Sequence, residues 1–370
     1  MDILIIGNGF DLAHGLKTSY GEFLDFCKNL KFEDESEQYS DYKHCLEKNL
    51  WMKHFITRQN QLGNTWIDLE NEIYEVIKFL KSQFIFDKYR DSSLLKMNKI
   101  LEIEKYKCNF QLQNIHDYLR DAYSNDNLSK DGIEPFFKYD MIGFYLENSQ
   151  DLINLLHRHL IEFTHLFEKY LLEEVFANPE HITKYDFPLK NENRNVHILS
   201  FNYTDTYERL YMKKSLYADS ISLYVYIHGK AGLHNLILGT QSFYNYLPNP
   251  VNEQIPIEFN VFKKHNMRHK YNTIEAYQNL LKIITDPQRI IKPVFHIVGH
   301  SLDMTDRVIL EHLLLANKKA VIKIYYHDEE SQERLINNIT DIIGEKEVMT
   351  RVQFIDQKDT QRGILIPKKN

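Results

Sequence analysis

The chain opens on a strand with nothing nearby to pair with. Ile3 to Ile6 is a continuous apolar run bounded by Asp2 and Gly7, and from Asp11 onward Leu12, Leu16, Phe23, Leu24 and Cys27 recur at helical spacing. That is strand, tight turn, then helix. A buried strand must hydrogen-bond its backbone N–H and C=O groups to a neighbour. Strand-like runs return only far downstream, at Val196 to Phe201, Ser222 to Ile227, Leu236 to Leu238, Pro293 to Val298, Ala320 to Tyr326 and Val352 to Ile355. The first strand therefore has to join a sheet built almost entirely from the second half of the chain.

Helical patterns fall between several of the later runs, at Thr273 to Thr285, Met304 to Ala316 and Glu330 to Ile343. Strands alternating with helices require crossovers, which give a mainly parallel sheet with helices on both faces. Between Asn29 and Lys190 the β-branched runs vanish, and Leu, Phe, Tyr, Lys and Glu recur at helical spacing. Two helices stand out, one from Asp151 to Phe176 and one from Trp66 to Phe84. The expected organisation is an α/β domain of residues 1–28 plus 191–370, interrupted by a large helical insertion at 29–190. A length of 370 residues suits that division, since single cores stop growing at about 250–300 residues.

Charge and cysteine usage narrow the function classes. The 45 basic and 52 acidic residues give a net charge of −7, and no predicted element carries a basic stripe, so nucleic acid is not indicated. Cys27, Cys45 and Cys108 are scattered and odd in number, which supplies neither a disulfide framework nor a zinc ribbon. The Ile3 to Ile6 run is too short for a signal peptide or a membrane span, so a cytoplasmic location without membrane attachment is expected. His157, His159 and His165 share a helix at spacings that do not present three ligands to one metal, and no metal is expected.

Ligands of open α/β sheets bind outside the carboxyl ends of the strands, which singles out four segments. Gly7-Asn8-Gly9-Phe10-Asp11 follows the first strand, where glycines let a phosphate approach the N–H groups at a helix start, or simply let helix and strand pack closely. Phe201-Asn202-Tyr203-Thr204-Asp205 follows the second; an Asn there can bond a sugar hydroxyl or orient water, or cap the next helix. His228-Gly229 supplies a candidate general base, although a lone His is often structural. Gly299-His300-Ser301-Leu302, with Asp303 and Asp306 after it, can admit a ribose, and its Ser301 or Asp303 can equally serve as a helix cap.

The run from Gly7 to Tyr20, GNGFDLAHGLKTSY, resembles the opening signature of AbiH-like phage-defence proteins, and Trp66 to Glu70, Phe201 to Thr204, His228-Gly229 and Gly299 to Asp306 follow in that family's order. The same order resembles the wider sirtuin-like, Rossmann-like NAD-binding fold. Without gaps, Gly7, Gly9 and Gly15 fall on that fold's glycines, with Asp11 where it has serine and Lys17 where it has proline. Asn202, His228, Gly299 and Ser301 fall on its later positions. The zinc ribbon of sirtuin deacetylases has no counterpart.

These resemblances imply an abortive-infection protein that binds NAD as substrate or ligand and hydrolyses its nicotinamide–ribose bond, an NAD glycohydrolase. Asn202 and His228 would be catalytic. Gly7, Asn8, Gly9, Asp11, Gly15 and Thr18 would bind the dinucleotide, together with Gly299, His300, Ser301 and Asp306. Partners consistent with that role are a phage-derived trigger and further copies of the chain. A nucleotide-binding sensor without catalysis is the alternative, and a defence nuclease is a further one.

Overall fold

In the computed structural model, the described residues are 1–30, 39–62, 68–77, 149–177, 182–189, 196–212, 222–241, 257–288, 292–359 and 363–367. The strands are β1 (Asp2–Ile6), β2 (Tyr185–Asp186), β3 (Val196–Ser200), β4 (Tyr224–Tyr226), β5 (Val294–Val298), β6 (Val321–Tyr326), β7 (Val352–Asp356) and β8 (Ile366–Pro367). Six of them form one sheet in the order β4-β3-β1-β5-β6-β7, while β2 and β8 pair antiparallel in a separate two-stranded sheet. Every pairing in the larger sheet is parallel.

The N-terminal strand thus lies inside the sheet, between β3 and β5. Its register runs Asp2 against Val196 and Val294 through Ile6 against Ser200 and Val298. Alternation divides its side chains between two cores. Ile3 and Ile5 join Leu280, Leu310, Leu313 and Ile339 on one face, and Leu4 and Ile6 join Phe10, Phe187, Tyr207 and Tyr211 on the other. Burial on both faces explains why these strands read as unbroken apolar runs rather than alternating ones.

The chain forms two compact units. One contains Met1–Ser19, Glu168–Ile237 and Met267–Asn370, and the other contains Tyr20–Phe167 and Leu238–Asn266. The dividing points differ from 28/29 and 190/191: the helix Tyr20–Asn29 falls in the second unit, residues 168–190 fall in the first, and a later piece returns to the second. Between 29 and 190 the described residues are mainly helical, at Ser40–Lys48, Leu50–Leu62, 69–77 and Ser149–Tyr170, with β2 as a marginal strand. A π-helical turn, Leu171–Val175, extends the last of these helices. Trp66, the residues from 78 to Phe84, Cys108 and the tail 368–370 lie outside the described residues.

The expected strand at Leu236 to Leu238 is a correction, because this run is buried but pairs with no strand among the described residues. Ile237 instead donates its N–H to the carbonyl of His228 at 2.8 Å and accepts a bond from the Tyr203 hydroxyl at 2.9 Å. A short apolar run signals burial, and burial alone does not supply a ladder. Among the described residues no helix is long and apolar enough to cross a membrane.

Candidate functional site

Four neighbouring strands, β4, β3, β1 and β5, end on the same edge of the sheet, and each is followed directly by one of the polar segments singled out above. Parallel pairing puts all their carboxyl ends together. His228 follows β4 and Asp306 follows β5, separated at the sheet by three inter-strand steps of about 4.8 Å each. Their side chains nonetheless meet, with Nε2 of His228 at 2.9 Å from Oδ1 of Asp306. The contact therefore bridges across the ends of β3 and β1.

Arg268, on the helix Lys264–Lys270, completes this cluster. Its Nη2 lies 3.1 Å from Nε2 of His228 and 3.7 Å from Oδ1 of Asp306. One imidazole nitrogen cannot donate to the carboxylate and accept from the guanidinium at once, so the tautomer selects the partner. With the proton on Nε2 the ring is oriented by Asp306, and its lone pair sits on Nδ1. His300 approaches from the other side, with Nε2 at 3.7 Å from Oδ2 of Asp306 and Nδ1 accepting the N–H of Leu302 at 2.9 Å. The Phe201 ring lies edge-on to both imidazoles, at 5.4 Å from His228 and 4.3 Å from His300.

Asn202 comes next along the chain and is 4% exposed. Neither its amide oxygen nor its amide nitrogen has a hydrogen-bond partner among the described residues. The helix that follows, Thr206–Tyr211, has Asp205 at its N-cap position, so Asn202 is not its cap. A buried amide left without partners costs on the order of 1–3 kcal/mol. In native proteins such groups are completed by an ordered water, an ion or a ligand, or serve catalysis.

Asp11 sits beside it on the short helix Asn8–Ala13 and is fully buried. Its Oδ2 accepts from the Thr204 hydroxyl at 2.5 Å, and Thr204 in turn accepts from Thr206 at 3.2 Å. The Asn202 amide is near enough to favour the ionised carboxyl, but Oδ1 of Asp11 completes no hydrogen bond among the described residues. Burial dominates: it pushes the Asp11 carboxyl from 3.8 up to about 6, against the pull of Thr204, Thr206 and Asn202, with Asp205 adding to the rise.

This shift makes a stability prediction whose sign follows from linkage. A carboxyl whose folded pKa exceeds its unfolded value favours folding while protonated and loses that contribution as pH rises from 3.8 through about 6. Two units correspond to ~2–3 kcal/mol. The stability of Asp11→Asn relative to the parent should improve by that amount between pH 4 and pH 8 in urea unfolding. An unchanged difference would show that Asp11 is not held neutral by burial.

The glycines act chiefly through close backbone approach. Gly7 donates its N–H to Val298, Gly9 donates to Gly299 at 2.8 Å and Phe10 donates to Gly7, so these groups bond within the protein. A Cβ on Gly9 would lie 2.9 Å from the backbone of Gly299. Gly299 has φ +65, and a Cβ there would lie 2.1 Å from the N atom of Phe10. Asn8 accepts from the Thr18 hydroxyl at 2.6 Å, fixing the segment after the helix, and Gly15 ends that helix at positive φ. His14, of the opening motif, is a core residue: Nδ1 donates to the Phe10 carbonyl at 2.6 Å and Nε2 accepts from Tyr211 at 2.7 Å, while burial lowers its pKa.

Of the two cap candidates, Asp303 accepts from the N–H of Thr305 at 3.0 Å, whereas Ser301 is exposed and offers its carbonyl to Asn338. Arg268 and Thr204 were not singled out from sequence. Arg268 lies in the run KKHNMRHK, which looks like a solvated basic face, and only its 3% exposure reveals otherwise. Thr204 was visible as part of the strand-end segment, without a role.

A family model described as Bacteriophage abortive infection AbiH matches residues 3–327, which takes in all the segments above. No curated protein and no solved structure gives a match.

Proposed function

The chain belongs to the AbiH family of bacteriophage abortive infection proteins, and from that premise we propose that it serves defence by binding NAD at the carboxyl edge of its sheet and hydrolysing the nicotinamide–ribose bond. The observation that carries this reading is the buried, unpartnered amide of Asn202 at the end of β3. The likeness of the strand-end motifs to sirtuin-like NAD-binding proteins supports the choice of ligand.

The chemistry sets modest demands. Nicotinamide leaves a pyridinium nucleotide as a neutral molecule carrying the bonding electron pair, so no acid is needed for departure. Positive charge passes to the ribose, water adds at C1′, and one proton must be taken up. Asn202 would hold a ribose hydroxyl or the water, and His228, oriented by Asp306 at 2.9 Å, would accept the proton. The residues fit the sugar half well. The glycine N–H groups fit the diphosphate less well, since Gly7 and Gly9 already donate to Val298 and Gly299.

One observation favours the sensor instead. The His228 nitrogen that faces Asp306 also faces Arg268, a three-residue cluster able to respond to a bound nucleotide without turnover. Incubation of purified protein with NAD, with and without phage lysate, separates the readings. Release of nicotinamide supports hydrolysis; NAD binding without release under every condition would overturn it in favour of the sensor.

A further inference from the structure

We propose that Asp11 and Asn202 together form a subsite for the hydroxyl groups of a ribosyl ring. The inference rests on the nucleotide reading above and assigns the recognition chemistry within it. Two observations at different strand ends carry it: Oδ1 of Asp11, after β1, and both amide atoms of Asn202, after β3, are buried without hydrogen-bond partners among the described residues. Because both amide atoms lack partners, the conclusion does not depend on which way the amide is turned.

The donor and acceptor inventory selects the ligand. Oδ1 of Asp11 and Oδ1 of Asn202 accept, while Nδ2 of Asn202 donates. Adjacent hydroxyls, each both donor and acceptor, complete all three. A phosphate at neutral pH offers acceptors alone and would face a carboxylate across a buried gap. The other oxygen of Asp11 accepts from Thr204, itself bonded by Thr206, so Oδ1 is the oxygen left for a ligand.

The same geometry couples binding to a proton. Hydroxyl donation to Oδ1 favours the ionised carboxyl, so binding releases a proton wherever the empty site is protonated, and affinity rises with pH through about 6. The groups facing Asp11 are Asp205, Thr204, Thr206 and Asn202 from the segment after β3 and Tyr224 from β4, while His14, which caps the Asp11 helix, bonds Phe10 and Tyr211 instead. Burial raises Tyr224 well above its usual range, and His14 is lowered by burial. Tyr224 therefore stays neutral between pH 5 and 8, and Asp11→Asn separates the Asp11 effect from that of any other group.

The test is calorimetric titration of the full chain with ADP-ribose and with ADP, at pH 5, 6 and 8 in buffers of different ionisation heat, repeated on Asp11→Asn after its fold is checked by circular dichroism. The proposal expects close to one proton released at pH 5 and none at pH 8. Affinity should fall about tenfold per unit below pH 6. Both effects should vanish in Asp11→Asn. If ADP-ribose alone shows them, the subsite reads the terminal ribose; if ADP shows them too, it reads the adenosine ribose. Proton release that persists in Asp11→Asn, binding without proton release, or no binding of either probe at millimolar concentration would overturn the assignment. Nicotinamide release from NAD is scored separately, so hydrolysis and this subsite can fail independently.

Discussion

Gly299→Ala should lose on the order of 4 kcal/mol of stability or more, enough to remove most of the folded protein, given typical margins of about 5–15 kcal/mol. Two costs combine. The residue has φ +65, where a side chain is strained, and its Cβ would lie 2.1 Å from the N atom of Phe10 and 2.5 Å from the carbonyl carbon of Gly9. Both are backbone atoms, so relief requires moving the turn that carries Gly9 and breaking its bond to the Gly299 carbonyl. Gly344→Ala is the control. Gly344 has φ +86 but no atom of the described residues within 4 Å of an added Cβ, so only conformational strain of about 1–3 kcal/mol applies. Urea unfolding of the pair should rank Gly299→Ala well below Gly344→Ala, and equal losses would show that the two loops are not locked together.

In the nicotinamide-release assay, Asn202→Ala should slow turnover about 10²–10³-fold, the usual consequence of removing a polar group that acts on the reacting centre. His228→Ala should slow it about 10²–10⁴-fold, as expected for loss of a general base. Asn202→Ala should also leave the fold intact, since the amide completes no hydrogen bond among the described residues. His228→Ala differs, because it strips a partner from Asp306 and Arg268 and should lower stability as well as rate. A variant lacking both side chains that hydrolysed NAD at the parental rate would remove these residues from the chemistry.

Much of the fold could be read from local signals, because buried parallel strands announce themselves as continuous apolar runs. The run Ile3 to Ile6 had to find partners downstream, and it lies between β3 and β5 as that reasoning requires. Thr273–Thr285 and Glu329–Ile343 follow helical periodicity almost to the residue. Leu236 to Leu238 shows the limit: apolar composition predicted burial correctly, but whether a neighbouring strand is available is a tertiary fact.

The site was legible as four strand-end segments, and its internal wiring was not. Asp11 is bonded by Thr204 across 193 positions, and nothing local marks it as a buried carboxyl rather than a solvated residue of a first helical turn. Gly9 reads locally as a phosphate turn, yet its N–H is taken by Gly299 in a loop that sequence cannot place against it. Arg268 carries no local signal at all. Hydrogen-bond partners set by the approach of distant loops are the part of a site that spacing and composition leave open.

The central claim is that four strand ends make one ligand site, and hydrogen exchange with and without NAD tests it most directly. On this account, NAD slows exchange together in the peptides that carry Gly7 to Asp11, Ser200 to Thr206, Ile227 to Gly229 and Gly299 to Asp306. Protection confined to one of these peptides, or found only among residues of the other compact unit, would contradict it.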